Sequence, residues 1–144
     1  MNSIDTNILF YATNLDCREH EASRLFIDRA LREGESWIIA DQVWVELYRL
    51  LRNSSVLEKP LSAEQAAGTV SWYREKTRWL RCAWEPSMMS GLETLWNRLD
   101  FPAGRIFDAV LAVTLKNHGV KRFYTRNTKD FNGFGFFEVV DPLD

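Results

Sequence analysis

The sequence predicts an α/β fold: a three-layer, doubly wound, mostly parallel sheet with helices on both faces. Three observations predict it. Short apolar runs such as Trp37–Ala40 and Arg122–Thr125 alternate with longer stretches of helical periodicity, the pattern of strand–helix–strand crossovers. The helical stretch from Ile106 to Leu115 is apolar almost all round, as a helix packed on several sides has to be. No repeat, linker or low-complexity segment interrupts the alternation, so residues 1–144 read as a single domain with a real core.

Residues 1–5, MNSID, are a weak strand, with only Met1 and Ile4 apolar. Asp5-Thr6-Asn7 are cap-type residues ahead of Ile8-Leu9-Phe10-Tyr11 and start a helix, which Asn14-Leu15-Asp16 ends. An amphipathic helix follows over His20–Arg32, with Ala22, Leu25, Phe26, Ala30 and Leu31 on one side, and it stops at Gly34. Trp37-Ile38-Ile39-Ala40 is a buried strand. Asp41-Gln42 opens a helix that runs through Leu51. Within it Glu46 has apolar neighbours at helical spacing, Val43 and Leu50, which sets it at the edge of a buried face. Asn53–Leu61 is a loop. Ser62-Ala63-Glu64-Gln65 has the capping-box pattern and opens a helix to Lys76. Leu80–Trp84 reads as a strand and Met88–Leu99 as a helix, ended by Asp100–Gly104. The apolar helix holding Asp108 in its first turn stops at Gly119. Arg122–Thr125 is a strand, Asn127–Phe131 a polar turn, and Phe136–Val140 the last strand.

Composition excludes several function classes. A net charge of −2 gives no global case for nucleic-acid binding, so any such binding needs a local patch. Cys17 and Cys82 form no metal-spaced or CxxC pattern and read as free thiols of a reducing cytosol. With no signal-peptide pattern and no bilayer-length apolar run, a soluble, cytoplasmic protein away from the membrane is expected. No serine or cysteine has a matching base, and no glycine-rich phosphate loop occurs. His20 and His118 have no mutual spacing for metal or triad use, and His118 reads as a helix C-terminal residue.

What remains is a set of acids. Asp5 ends the first strand, Glu46 lies in the helix after the second, Asp108 begins a helix, and Asn127 and Asp130 follow the fourth strand. In a doubly wound sheet the groups after the first and fourth strands meet at the switch point, where ligands bind. A lone acid at a helix start is also what the dipole favours. Several at one end of a sheet repel one another unless a cation lies among them. All-oxygen ligands select Mg²⁺ or Mn²⁺, and the chemistry such an ion supports is attack by water, most often on a phosphodiester. Arg105 and Arg126 flank the acids and are candidates for substrate phosphate, with ion pairs to the acids the other reading.

Asp5-Thr6-Asn7 after a first strand, Glu46 in a helix after a second, Phe107-Asp108-Ala109 opening an apolar helix, and Thr125-Arg126-Asn127-Thr128-Lys129-Asp130-Phe131 near the end resemble the PIN-domain nucleases. The size and the closing Val139-Val140-Asp141-Pro142 look like the VapC-type ribonuclease toxins of toxin–antitoxin pairs. The resemblance covers the whole chain and implies a PIN-like fold. It implies a metal-dependent endoribonuclease in which Asp5, Glu46 and Asp108 hold Mg²⁺ or Mn²⁺. Many members carry an aspartate where this chain has Asn127, which leaves Asp130 as the fourth acid, in the metal and catalytic set. Thr6 and Thr125 are then groups that orient carboxylates, Asn7 helps hold the loop, and Asn127 accepts a hydrogen bond or holds a water. A carboxylate, Asp108 or Asp130, takes the proton of the attacking water. The family cuts single-stranded or looped RNA, is neutralised by a cognate antitoxin, and forms homodimers.

Two segments admit two readings each. Arg74–Arg81 interleaves four bases with Trp79, either a phosphate grip with a stacking ring or a solvated helix end. Tyr11, Phe26, Trp44 and Tyr48 either line a groove for an amphipathic antitoxin helix or pack the core. For the chain as a whole, the competing reading is a PIN-like module that holds RNA or a protein without cutting. A phospho-acceptor receiver ranks last, because Thr6-Asn7 rather than a second acid follows Asp5.

Overall fold

A computed structural model describes residues 1–144. In chain order the elements are β1 (Asn2–Ile4), α1 (Thr6–Thr13), α2 (His20–Arg32), β2 (Ile38–Ala40), α3 (Asp41–Leu51), α4 (Ala63–Lys76), β3 (Leu80–Cys82), α5 (Met89–Trp96), α6 (Ile106–Asn117), β4 (Arg122–Tyr124), α7 (Thr128–Phe131) and β5 (Glu138–Val140). Every strand pairing is parallel. β4 lies between β1 and β5, with Ser3 opposite Phe123 and Phe123 opposite Val139. β2 pairs with β3, Ile39 opposite Arg81. A bridge between Asn2 and Trp37, with the Asn2 N–H donating to the Ser36 carbonyl at 2.9 Å, joins the two pieces. The order across the molecule is therefore β3-β2-β1-β4-β5. The chain winds outward from β1 to β3, then crosses back to β4, so the crevice of the switch point lies beyond the carboxyl ends of β1 and β4.

Why α6 is apolar all round is now plain. Its Leu111, Ala112 and Leu115 pack into the main core with Ile4, Phe123 and Ile39. Its Ala109 and Val113 face the other way, into a smaller core with Met88, Leu92 and Leu95. Truncating a fully buried leucine such as Leu115 to alanine in such a helix costs about 2–5 kcal/mol. The helix ends in a Schellman turn: Gly119, at φ +82°, donates to the Lys116 carbonyl and Val120 to that of Leu115, both at 3.1 Å. The expected capping box of α4 is present, with Ser62 Oγ accepting from the Gln65 N–H at 3.1 Å and Gln65 Oε1 from that of Ser62 at 3.0 Å.

Several expectations need correction. The buried stripe of α2 is Ser23, Phe26, Ile27 and Ala30; Ala22 and Leu25 are exposed. A buried serine had hidden the true phase of the stripe. Asn127–Phe131 is not only a turn, since Thr128–Phe131 forms one helical turn with Phe131 buried. Trp79 is no stacking platform for a base. It is buried, stacked on Tyr73 with centroids 5.5 Å apart, so Arg74–Arg81 has lost its aromatic. Phe26 and Trp44 are also core residues, while Tyr11 and Tyr48 are half-exposed. No helix is long and apolar enough to cross a membrane.

Candidate active site

At the carboxyl end of β1 the chain turns straight into α1, and Asp5 is the residue at the turn. It caps α1, with Oδ1 accepting the Thr6 N–H at 2.8 Å. Its own N–H donates to the Tyr124 carbonyl at the end of β4, so the backbone of the sheet fixes it. Its Oδ2 accepts the Thr125 hydroxyl at 2.6 Å and, at 3.4 Å, the Asn7 amide. Thr125 Oγ1 in turn accepts the Asn127 N–H at 3.0 Å, and Asn7 Oδ1 accepts the Arg126 N–H at 3.3 Å. The loop after β4 is thus tied to the loop after β1 through side chains that all end on Asp5.

Glu46 arrives from α3. Its Oε2 accepts the Thr6 hydroxyl at 3.3 Å, so Thr6 links the two carboxylates through its backbone and its side chain. Asp108 arrives from the first turn of α6. A cavity of about 690 Å³ is lined by Asp5, Glu46, Asp108 and Asn127 together with Asn7 and Thr6. Asp5 is 7% exposed, and burial above all pushes its pKa up to about 6, with the charges of Glu46 and Asp108 adding to the rise and the Thr125 and Thr6 hydrogen bonds opposing it. Burial also raises Asp108, as do Asp130 and Glu46, while Arg105 pulls the other way.

Asp130 and the two arginines stand differently from what the sequence suggests. Asp130 Oδ1 pairs with Arg105 Nη2 at 3.0 Å, and both line a neighbouring cavity of about 370 Å³ with Arg98 and Lys129. Arg126 Nη1 pairs with Asp141 at 2.8 Å and Asp144 at 3.1 Å. Neither arginine lines the acid cavity, and both stand in ion pairs, the second of the two readings their sequence positions allowed. Their partners lie 15 or more residues away in sequence, beyond any local pattern. Asp130 reaches the site through the field it exerts on Asp108 and through its pairing with Arg105.

Gln42, Arg49 and Phe107 are among the further residues that line the acid cavity. Gln42 and Arg49 lie four before and three after Glu46 on α3, hence on its face of the helix. That spacing was a usable signal. Phe107 is 74% exposed, and no periodicity distinguishes it from the buried residues of α6. Thiol chemistry has no place here, since burial pushes Cys82 up to about 12.

The donors suit a hard cation: carboxylates of like charge, two of them raised, sharing one cavity. As they stand, no three are gathered closely enough to hold one ion between them. A cation entering the cavity would offset the burial, and with it the repulsion, that raise Asp5 and Asp108, so the donor chemistry fits it.

The PIN domain family matches residues 3–136. Ribonuclease VapC24 of Mycobacterium tuberculosis is 41% identical to this chain over 143 residues, covering 99% of this chain and 97% of the relative. Ribonuclease VapC25 of the same organism is 28% identical over 116 residues, covering 80% of this chain and 82% of the relative. The crystal structure of VapC20, a sarcin-ricin loop cleaving toxin of Mycobacterium tuberculosis, superposes with a TM-score of 0.72 at 17% identity, covering 98% of this chain and all of that one (100%). The VapBC-1 structure from nontypeable Haemophilus influenzae gives a TM-score of 0.68 at 15% identity, covering 99% and 98%. At those identities the two structures bear on the fold alone.

Proposed function

This chain belongs to the PIN-domain family, and on that premise we propose that it is a VapC-type endoribonuclease, the toxin of a toxin–antitoxin pair, dependent on Mg²⁺ or Mn²⁺. Residues 1–144 act as one domain in the cytoplasm, as a homodimer neutralised by a cognate antitoxin. The observation that carries the reading is one cavity lined by three carboxylates from three elements, with Asp5 held up at about 6. Asp5, Glu46 and Asp108 are the residues that would hold the ion, with Asp130, paired to Arg105, adding its charge to the field at Asp108. When bound, the ion supplies an acidified water and neutralises charge that builds on the phosphate.

The protein's own groups do the rest. Thr6, Thr125 and Asn7 hold the Asp5 carboxylate in one orientation, and Thr6 sets Glu46 relative to it. Asp108 is the group that takes a proton from the attacking water, because Asp130 is engaged by Arg105, Glu46 by the Thr6 hydroxyl and Asp5 by three donors. Asn127 lies exposed at the cavity edge, where it offers a neutral hydrogen-bonding group to a water or to RNA.

The test uses purified protein freed of antitoxin, incubated with total RNA and Mn²⁺. Discrete fragments are expected, absent in chelator and in the Asp5→Asn and Asp108→Asn variants. Equal cutting by either variant would refute the assigned acids. No cutting by any of the proteins would leave a non-cleaving binding module as the reading.

A further inference from the structure

From the geometry of the acid cavity we infer that Phe107 and Arg49 are its grip on a single RNA strand, Phe107 stacking a base and Arg49 holding a phosphate. The inference rests on the proposed RNA substrate and adds the residues that seat it. Phe107 lies next to Asp108 in the chain and 74% of it is exposed, in a molecule whose Trp44, Trp79 and Phe123 rings are buried. Its backbone is tied across to α3: its carbonyl accepts the Gln42 side-chain amide at 3.0 Å. A large flat apolar ring exposed on the lining of a carboxylate-bearing cavity suits a nucleobase, whose face stacks and whose polar edge stays wet.

Arg49 lines the same cavity from α3, one turn beyond Glu46. Of Arg49, Arg105 and Arg126 it is the one without a carboxylate partner, since Arg105 pairs with Asp130 and Arg126 with Asp141 and Asp144, and it alone of the three lines the acid cavity. An exposed, unpaired guanidinium in a cavity otherwise acidic gives a polyanion a point of attachment that the acids alone deny it. Cutting needs the phosphodiester beside the acids, and a base on Phe107 with a phosphate on Arg49 would hold the strand in the cavity that the acids line. An apolar protein segment would match Phe107 but would leave Arg49 and the acids unanswered.

Binding is measured with a short fluorescein-labelled single-stranded oligoribonucleotide of mixed sequence, by anisotropy, in the Asp5→Asn background with Mg²⁺ present. Both side chains are exposed, so their variants keep the fold. Phe107→Ala is expected to weaken binding about tenfold and Phe107→Trp to restore it. Arg49→Ala is expected to weaken it by a similar factor of about ten and to lower the slope of log affinity against log salt by about 0.7. Unchanged affinity in both alanine variants overturns the inference. So does Phe107→Ala binding RNA normally while failing to bind the antitoxin, which would make the ring a protein-docking surface. If the background protein binds no RNA at all, the RNA substrate itself fails, and if it cuts the strand, the assignment of Asp5 fails.

Discussion

At the scale of residues, the site is an argument about charge. Asp5 has a folded pKa of about 6 against 3.8 for the free group, so the folded state binds its proton more tightly than the unfolded chain does. The sign follows: metal-free protein loses stability at this group as pH rises from 4 to 6, by a few kcal/mol at most. Chemical denaturation at pH 4 and pH 7 checks it. Asp5→Asn is expected to gain on wild type at pH 7 relative to pH 4, and an equal difference at both would contradict the burial of a charged Asp5. Arg105 acts in the opposite sense on Asp108, lowering its pKa. Arg105→Ala therefore moves the acid limb of the cleavage–pH profile upward, since Asp108 must be ionised to take a proton. An unmoved limb would mean that Asp108 is not that group. The acids stood out in the sequence because Asp5 and Asp108 sit at element boundaries that caps and apolar runs mark, while Glu46 interrupts an apolar face inside α3. Ion pairing of the two arginines was one of two readings, but the partners were not legible: Arg126 meets Asp141 and Asp144, and Arg105 meets Asp130, only after the chain has folded back.

At the scale of elements, local chemistry told most of the story. The Ser62 capping box, the Gly119 stop and the cap residues ahead of α1 each gave a boundary that the structure keeps. Gly119→Ala is expected to cost about 1–2 kcal/mol, the steric cost of a Cβ at positive φ, read as a lower denaturation midpoint with unchanged slope. A midpoint equal to wild type would mean the turn relaxes. What the sequence misread are faces rather than elements. Ser23 takes a buried place that a hydrophobic pattern search gives to Leu25, and Leu25 is 55% exposed. Trp79 looked like a partner for RNA because bases surround it in sequence, yet the ring turns inward onto Tyr73 and Trp37. Aromatic content does not say which way a ring points; burial does.

At the scale of the whole molecule, alternation of strand and helix was enough to give a parallel α/β sheet. The order β3-β2-β1-β4-β5 was not written in any one segment. It matters because it sets the loops after β1 and β4 side by side and points α3 and α6 at the same crevice, so that Asp5, Glu46 and Asp108, scattered over a hundred residues, line one cavity. The central claim is that this cavity is a divalent-cation site built by those three acids. Titration of Mn²⁺ into antitoxin-free protein, followed by the loss of the free-ion paramagnetic resonance signal, tests it most directly. Wild type is expected to take up the ion, with affinity lower by on the order of tenfold or more in Asp5→Asn and in Asp108→Asn, while equal uptake by wild type and both variants would contradict it.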